Sequence, residues 1–254
     1  MADTDQSTPG CTICGNGIDP GFKISMAFQP IVDAKQRTVF AHEALVRGPA
    51  GEPAGVVFEK VNNGNRYSFD QACRIKAIEW AAKLGMQSSL SINFMPNAVY
   101  EPERCIQTTL EAASTHDFPT DRIIFEITEG ERIEDPDHLD KIIRYYQAQG
   151  FQTAIDDFGA GYAGLSLLAD FRTDLVKLDM GLIRDIDSQA SRQAIVKATL
   201  SVCGSLGIRA IAEGVETRAE LQTLRGMGVD LIQGYLLARP AFEALPEIDW
   251  SELD

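Results

Sequence analysis

RYYQAQGFQTAIDD, residues 144–157, contains the unit that decides the fold of this chain. It joins the end of a helix to a glycine, a short apolar strand and two consecutive carboxylates. Gly150 stands where the end of a helix requires a left-handed residue. Upstream of it, apolar residues recur at helical spacing, namely Leu139, Ile142, Ile143 and Tyr146. The stretch therefore predicts an amphipathic helix followed directly by a buried strand.

The same order of helix, glycine and strand recurs elsewhere along the chain. It is found in EWAAKLGMQSSLSIN (79–93), SVCGSLGIRAIAE (201–213) and LRGMGVDLIQG (224–234). The glycines at these helix ends are Gly85, Gly207 and Gly228. Short apolar strands that alternate with amphipathic helices predict a parallel sheet covered by helices.

A polar residue stands at or near the end of each apolar strand run. These residues are Glu43, Asn93, Glu126, Asp156, Asp157, Lys177, Glu213 and Gln233. They are separated by about 20 to 50 residues, as repeated strand–helix units of a β/α barrel would be. Because such a barrel gathers the carboxyl ends of its strands at one mouth, we expect a ring of oxygen ligands that can hold divalent metal ions.

The beginning of the chain differs from the rest. Residues 1–22 are rich in Gly, Pro, Ser, Thr and Asp, and they predict a flexible tail before a barrel domain over 23–254. KISMAFQPIVD and TVFAHEALV then resemble two strands, and the polar turn AKQR between them predicts an antiparallel pair.

Composition limits the classes of function. A length of 254 residues, 44% hydrophobic and 24% charged, suits one large domain. The net charge of −14 argues against a polymeric nucleic acid or an anionic membrane surface as partner, but a small anionic substrate remains open because bound cations can reverse the local field. No apolar run approaches the roughly 18 residues that cross a bilayer, and the start has no signal-peptide core. We expect a cytoplasmic protein.

Two of the candidate sites have ordinary alternatives. Glu43 and Arg47 lie on one side of a strand, where they could bind a metal and a phosphate oxygen or simply form a cross-strand ion pair. Asp156 and Asp157 repel each other, so burying both favours a bound cation, while an exposed acidic turn is the alternative. Lys177 lies inside an apolar run and is expected to point at the acidic ring.

Other chemistries have weaker support. Residues 159–164, GAGYAG, match the dinucleotide-binding pattern, with Asp179 about 20 residues on. The acidic pair just before this segment would repel a pyrophosphate, so we expect the glycines to shape a loop beside the metal site. The 3 histidines are scattered, and the pattern of a serine hydrolase is absent. Cys11 and Cys14 are half of a zinc site with no second half, and a reduced pair without function is the simpler interpretation.

Eight motifs in order make the chain resemble the EAL family of cyclic di-GMP phosphodiesterases, which is named for the tripeptide Glu43-Ala44-Leu45. They are FQPIVD, EALVRG, LSINFMP, IIFEITE, AIDDFGAGYAGLSLL, DLVKLD, AIAEGVET and QGYLLARP. The resemblance covers about residues 28–242. It implies an α/β fold, a modified TIM-type (β/α)8 barrel with an antiparallel first strand, which agrees with the predicted hairpin.

The resemblance also implies a role for each matching residue. It makes Glu43, Asn93, Glu126, Asp156 and Asp157 metal ligands, with Asp157 reaching the second metal. Lys177 and Glu213 resemble the pair that holds and activates the attacking water, and Glu213 is also a metal ligand. Gln29 and Arg47 match residues that contact the substrate. Glu216 and Gln233 resemble supporting residues, Gln233 beside the substrate. Glu129 resembles the glutamate that anchors the loop 157–164 and couples metal binding to dimerisation.

The implied reaction is hydrolysis of cyclic di-GMP to linear pGpG with Mg²⁺ or Mn²⁺, and Ca²⁺ is expected to inhibit it. A homodimer and an upstream sensor or regulatory partner are also implied. The chain departs from the family at Ala160, where threonine is common, and in VNNGNRYSFDQACR (61–74). Two alternatives remain: a catalytically silent EAL-type protein that binds cyclic di-GMP or another protein, and an NAD-type oxidoreductase built on the glycine pattern.

Overall fold

The computed structural model of the protein describes residues 19–99, 101–128, 135–161 and 164–254. Its strands are β1 Ser25–Asp33, β2 Thr38–Arg47, β3 Ser89–Asn93, β4 Ile123–Thr128, β5 Gln152–Phe158, β6 Leu175–Leu178, β7 Arg209–Ala212, β8 Leu231–Ile232 and β9 Ala241–Phe242. Its helices are α1 Ala54–Phe58, α2 Arg66–Lys83, α3 Pro102–Cys105, α4 Gln107–Thr115, α5 Pro136–Ala148, α6 Gly164–Asp170, α7 Met180–Ile183, α8 Ala190–Leu206 and α9 Arg218–Gly226.

The sheet closes into a barrel through its first strand. Strands β2 to β8 follow one another in parallel, and β1 lies between β8 and β2, antiparallel to both. The turn between β1 and β2 contains Arg37 in a left-handed conformation, with φ 54°. The predicted antiparallel hairpin and the barrel with an antiparallel first strand are both confirmed. The short strand β9 pairs antiparallel with β1 at Ala27 and Phe28.

Glycine ends the helices that precede β3, β5, β7 and β8, as the sequence predicted. Gly85, Gly150, Gly207 and Gly228 all have positive φ, between 65° and 90°. A residue with a Cβ is strained in this conformation, whereas glycine adopts it freely. Two to five residues therefore separate each of these helices from the strand that follows it.

Helix α5 shows how the helices cover the barrel. Asp135 accepts a hydrogen bond from the His138 backbone N–H and so caps the first turn. The apolar face predicted from the sequence is buried, and it consists of Leu139, Ile142, Ile143 and Tyr146. This face packs on the outer side of the strands, in the main hydrophobic core.

The interior of the barrel is divided into an apolar layer and a polar layer. Side chains alternate along a strand, so every second residue points inward. The apolar layer is a small cluster, separate from the main core, of Ile31, Ala41, Ile124, Ala154, Leu175, Ile211 and Leu231. Two residues further on, β2, β4, β5, β6 and β7 place charged residues at the carboxyl end of the barrel. The alternation therefore closes the barrel below this mouth and places the polar residues at it.

Residues 1–18 lie outside the described residues, so the flexible tail expected over 1–22 stays a prediction. Within 19–22, Phe22 lies against Phe69, with ring centroids 5.9 Å apart. No described helix is both long enough and apolar enough to cross a membrane.

Candidate metal centre at the mouth of the barrel

Seven parallel strands deliver the predicted polar residues to one place. Glu43 lies in β2, Asn93 ends β3, and Glu126, Asp156 and Lys177 lie in β4, β5 and β6. Glu213 and Gln233 directly follow β7 and β8. Their side chains lie within hydrogen-bonding or ion-pairing distance of one another, so the predicted ring is present.

Lys177 occupies the centre of this ring. Its Nζ lies 2.8 Å from Asp156 Oδ1, 2.8 Å from Glu213 Oε1, 3.0 Å from Glu126 Oε2 and 3.3 Å from Glu43 Oε2. Burial opposes the charged form of Lys177, but the surrounding carboxylates outweigh it and raise its pKa well above the ordinary value. One buried cation thus faces four carboxylates.

Four carboxylates beside one ammonium crowd acidic groups in a buried site, so ionising all of them is unfavourable. Burial raises the pKa of Glu126 well above its ordinary value, and neighbouring carboxylates add to the effect. Burial likewise raises the pKa of Glu213 to about 8 and that of Asp157 to about 6. Carboxylates that resist ionisation in this way are stabilised by any further cation that enters the site.

Hydrogen bonds orient the carboxylates on one side of the ring. Asn93 Nδ2 donates to Glu43 Oε1 at 3.0 Å and to Glu126 Oε2 at 3.3 Å. Gln233 Nε2 donates to Glu43 Oε2 at 2.7 Å. Gln233 Oε1 is buried and accepts no hydrogen bond from the described residues, so it is available to a bound group.

Ser91 completes these contacts, although the sequence alone did not predict it as a site residue. Its Oγ donates to Glu126 Oε1 at 2.5 Å, and its side chain is fully buried. Ser91 precedes Asn93 by two residues in β3, so both point inward. This alternation was the one signal in the sequence that could have identified it.

A bulge in β5 brings two consecutive carboxylates to the mouth. The pairing of β5 with β6 shifts register between Ile155 and Phe158, where Asp156 and Asp157 lie. Asp157 is left-handed, with φ 56°. Consecutive residues of a regular strand point to opposite faces, whereas this irregular backbone lets both carboxylates reach the site.

The carboxylates form two ligand groups that share Asp156. In the first, one oxygen each from Glu43, Glu126 and Asp156 lie within 4.8 Å of one another, and in the second the same holds for Asp156, Asp157 and Glu213. Both groups consist of carboxylate oxygens alone, which suit hard divalent cations such as Mg²⁺ and Mn²⁺. These residues would hold two divalent cations, with Asp156 contributing an oxygen to each group.

Two cavities flank this centre and contain the expected substrate residues. One, of about 240 Å³, is lined by Gln29, Glu43, Asp157, Glu213 and Gln233 among others. The other, of about 390 Å³, is lined by Arg47, Asn93, Asp156 and Asp157 and by a largely apolar wall. Arg47 Nη1 donates to the Val46 carbonyl at 2.8 Å. Among the described ion pairs none joins Glu43 to Arg47, so the simple cross-strand pair is not formed.

The remaining predicted residues lie at the rim or beyond the described chain. Glu216 is half exposed, lines the smaller cavity and pairs with Arg184 at 3.2 Å. Glu129 lies outside the described residues. In the glycine-rich segment, Gly159 has φ 99°, and a Cβ there would overlap the side chain of Leu182. This glycine permits close packing of the segment after β5 against α7, beside the site.

Comparison with known sequences identifies the family. A sequence profile described as the EAL domain matches residues 21–240. The blue light- and temperature-regulated antirepressor BluF of Escherichia coli K12 is 32% identical over 236 residues, which are 92% of this chain and 59% of BluF. The cyclic di-GMP phosphodiesterase PdeB of Shewanella oneidensis is 31% identical over 168 residues, which are 65% of this chain and 20% of PdeB. The chain thus spans less than two thirds of the length of either relative.

Solved structures of EAL proteins have the same fold as this chain. A standalone versatile EAL protein from Vibrio cholerae O395, in its c-di-GMP-bound form, has a TM-score of 0.88 and 55% identity, covering 91% of this chain and 98% of that chain. BlrP1 of Klebsiella pneumoniae, in a manganese and cyclic di-GMP complex, has a TM-score of 0.85 and 35% identity, covering 91% of this chain and 59% of that chain. The profile spans nearly the whole barrel, with each predicted site residue inside it, and the chain belongs to the EAL domain family.

Proposed function

We propose that this protein hydrolyses one phosphodiester bond of cyclic di-GMP and releases linear 5′-pGpG, with Mg²⁺ or Mn²⁺ as cofactor. The proposal rests on one observation: the two clusters of three carboxylates, which have Asp156 in common, lie between two cavities. The 55% identical Vibrio cholerae protein with c-di-GMP bound supports the choice of ligand, and the name of PdeB supports the reaction.

The cation ligands follow from the two groups. Glu43, Glu126 and Asp156 hold one cation, and Asp156, Asp157 and Glu213 hold the other. Divalent cations at such a site lower the pKa of a water and offset the charge of the phosphate. Rotation of the Asn93 amide by half a turn presents its Oδ1 to the first group in place of Nδ2.

Lys177 and Glu213 act on the attacking water. The ammonium of Lys177 contacts Glu213 Oε1 directly, at 2.8 Å, so a water that lies beside this pair meets a donor and an acceptor. Glu213 accepts the proton that this water loses as its oxygen bonds to phosphorus. The P–O3′ bond breaks in the same displacement, and the departing 3′-oxygen takes up a proton from solvent, which leaves the 5′-phosphate on the linear product. Lys177 remains charged and stabilises the negative charge that develops on the phosphate oxygens.

The neighbouring side chains bind the substrate. Arg47, at the wall of the larger cavity, binds a phosphate oxygen through its guanidinium. Gln29 and Gln233, in the smaller cavity, supply amide groups to the nucleotide. The two cavities on either side of the carboxylates accommodate the two halves of a cyclic dinucleotide.

We also propose that the protein works as a homodimer, joined through α6 and α8. Helix α8 exposes an apolar stripe, with Ile195, Val202 and Leu206 exposed by 51%, 36% and 53%. Leu165, at the start of α6, is exposed by 63%. The family resemblance makes Glu129 and the loop 157–164 the link between metal binding and dimerisation, and Glu129 and residues 162–163 lie outside the described residues. We also propose that an upstream sensor or regulatory partner controls the activity.

A second candidate function is a catalytically silent protein that acts by binding cyclic di-GMP or a protein partner. The relative that favours it is BluF, an antirepressor with 32% identity to this chain. A silent protein has no need for every ligand, yet the predicted ligands are all among the described residues and lie together in the two carboxylate groups or, for Asn93, within hydrogen-bonding distance of them. This observation favours catalysis.

The test is incubation with cyclic di-GMP and either Mg²⁺ or Mn²⁺, followed by separation of the nucleotides. We expect pGpG with either cation, none in excess chelator, and inhibition by Ca²⁺, because its longer and looser coordination suits this displacement poorly. Glu43→Gln and Asp156→Asn, which keep the size of the side chain, should lose turnover. Binding of cyclic di-GMP without pGpG under either metal would instead support the silent effector.

A further inference from the structure

A buried ion pair lies behind the metal centre, on the outer side of the barrel wall. Asp70 and Arg74 are one turn apart on α2, and Arg74 Nη2 lies 2.7 Å from Asp70 Oδ2. Arg74 is completely buried, and Asp70 is 3% exposed. Burying an ion pair gives little or no net stability compared with apolar residues of the same size. The pair therefore calls for an explanation other than stability.

Arg74 contacts the residues next to two of the ligands. Its guanidinium carbon lies 5.2 Å from the ring centroid of Phe94 and 5.2 Å from that of Phe125. Phe94 directly follows Asn93, and Phe125 directly precedes Glu126. Since neighbours on a strand point to opposite faces, a shift of either ring turns the ligand beside it.

Tyr146 fixes Arg74 from the covering helix α5. Arg74 Nη1 donates to the Tyr146 hydroxyl at 3.0 Å, and Tyr146 is itself completely buried. The Tyr146 ring also packs on Phe125, with centroids 4.9 Å apart. The guanidinium is thus held in one orientation between two helices and two strands.

Asp70 holds the segment that follows β3. Its Oδ1 accepts a hydrogen bond from the Met95 backbone N–H at 2.8 Å. Met95 comes two residues after Asn93, where the chain has left the strand ladder. Asp70 also lines the larger cavity together with Asn93. Loss of this acceptor would release the segment that sets the position of Asn93.

We propose that Asp70 and Arg74 are positioning residues that hold the ends of β3 and β4, so that Asn93 and Glu126 present their oxygens to a divalent cation. This inference rests on the proposed function, which makes Asn93 and Glu126 cation ligands. Neither Asp70 nor Arg74 touches the cation or the substrate. Their effect is on cation affinity and on turnover at saturating substrate, with little change in KM.

The first test compares two substitutions of Asp70 by titration calorimetry with Mn²⁺ and by hydrogen exchange at the Met95 amide. Asp70→Ala removes the acceptor, and we expect Mn²⁺ to bind about tenfold more weakly, as for other residues that orient metal ligands. The Met95 amide should also lose protection. Asp70→Asn keeps an acceptor oxygen, and we expect affinity within about threefold of the wild type.

Two further variants separate positioning from folding. Glu79→Ala breaks a surface ion pair with Lys76 on the same helix and should change neither measurement. Asp70→Leu combined with Arg74→Met removes both buried charges together, so it leaves no unpaired charge. We expect this double variant to keep the melting temperature within a few degrees while Mn²⁺ affinity still falls, which a purely structural role would not produce.

Three results would overturn the inference: native Mn²⁺ affinity in Asp70→Ala, equal loss in Asp70→Asn and Asp70→Ala, or native affinity in the double variant. A wild-type protein that binds Mn²⁺ but forms no pGpG contradicts the proposed function alone, and the comparison of affinities still decides the role of Asp70. A wild-type protein that binds no Mn²⁺ contradicts both.

Discussion

Asp157 shows how one backbone angle decides what a residue can do. At φ 56° its side chain joins Asp156 and Glu213 in the second ligand group. Asparagine and aspartate tolerate this left-handed conformation better than most residues. The identity of the residue at 157 therefore has two separable consequences, one for the backbone and one for the charge.

We predict that Asp157→Asn keeps the fold and loses the function of the second ligand group. The amide fits the same backbone and removes a repulsive charge, so the melting temperature without metal should stay the same or rise. Turnover should fall about 100-fold or more, equivalent to about 2.7 kcal/mol of transition-state stabilisation. Steady-state kinetics and thermal melting measure the two effects.

The matched control is Asp185→Asn, at another left-handed aspartate, φ 53°, outside the metal centre. It should leave both measurements unchanged. If Asp157→Asn retains turnover near that of Asp185→Asn, then Asp157 is not a cation ligand.

At the residue scale, the predicted ligands could be located from the sequence, but the contacts that orient them could not. Asn93 and Asp156 end recognisable apolar runs, and their position at the mouth follows from strand polarity. The contact of Ser91 with Glu126 depends on which way each strand faces, and the bulge at Asp157 depends on local register. Register is a property of two paired strands, so one strand's sequence does not reveal it.

At the scale of elements, the loops after β7 and β8 are locked together by their backbones. The Val215 N–H donates to the Gln233 carbonyl at 3.1 Å, and the Leu236 N–H donates to the Val215 carbonyl at 3.1 Å. Gly234 lies where the two loops cross each other, and a Cβ at this position would overlap the backbone of Val215. The loop after β7 begins at Glu213 and the loop after β8 contains Tyr235, and both residues line the smaller cavity, so the packing of the loops fixes both of its sides.

We predict opposite effects for one substitution at two glycines. Gly234→Ala forces the loops apart and should cost about 1–3 kcal/mol of unfolding free energy and lower turnover. Gly204→Ala lies inside α8, where an added Cβ has no heavy atom within 4 Å. It should instead raise stability by about 0.5–1 kcal/mol through helix propensity and leave turnover unchanged.

Denaturant unfolding and kinetic assays of the two variants check this prediction. A Gly234→Ala protein as stable and active as Gly204→Ala would show that the crossing of the loops does not position the site.

The sequence predicted long, periodic elements better than short ones. Helix α5 and the glycine after it follow from spacing and from the left-handed position, and both were confirmed. Strand β8 has only two residues, Leu231–Ile232, and β9 likewise has two. Such short strands exist because neighbouring strands supply their hydrogen bonds, which is tertiary information.

At the scale of the whole molecule, the barrel gathers charge from distant parts of the sequence. Lys177 and its four carboxylate partners come from five strands or their ends, and among the described ion pairs Lys177 is the one cation that these carboxylates share. The closed barrel holds these groups together at an electrostatic cost. Divalent cations that bind the folded state alone should offset that cost.

We predict that Mg²⁺ or Mn²⁺ raises the melting temperature of the protein. Cation at 100 times its dissociation constant stabilises a site by about 2.7 kcal/mol. For a domain of this size each kcal/mol corresponds to roughly 2–4 °C. Differential scanning fluorimetry measures the shift, and it should disappear in chelator.

Asp156→Asn is the informative variant for this shift, because Asp156 belongs to both ligand groups. It should lose most of the rise in melting temperature, whereas Glu79→Ala should keep it. An equal rise in wild type and Asp156→Asn would show that the cations bind elsewhere.

We propose that two cation sites share Asp156, and anomalous diffraction from a crystal soaked in Mn²⁺ locates any such sites. We expect two peaks, one among Glu43, Glu126 and Asp156 and one among Asp156, Asp157 and Glu213. A map with no peak at these carboxylates, or with a single peak that Asp156 does not touch, would contradict the proposal.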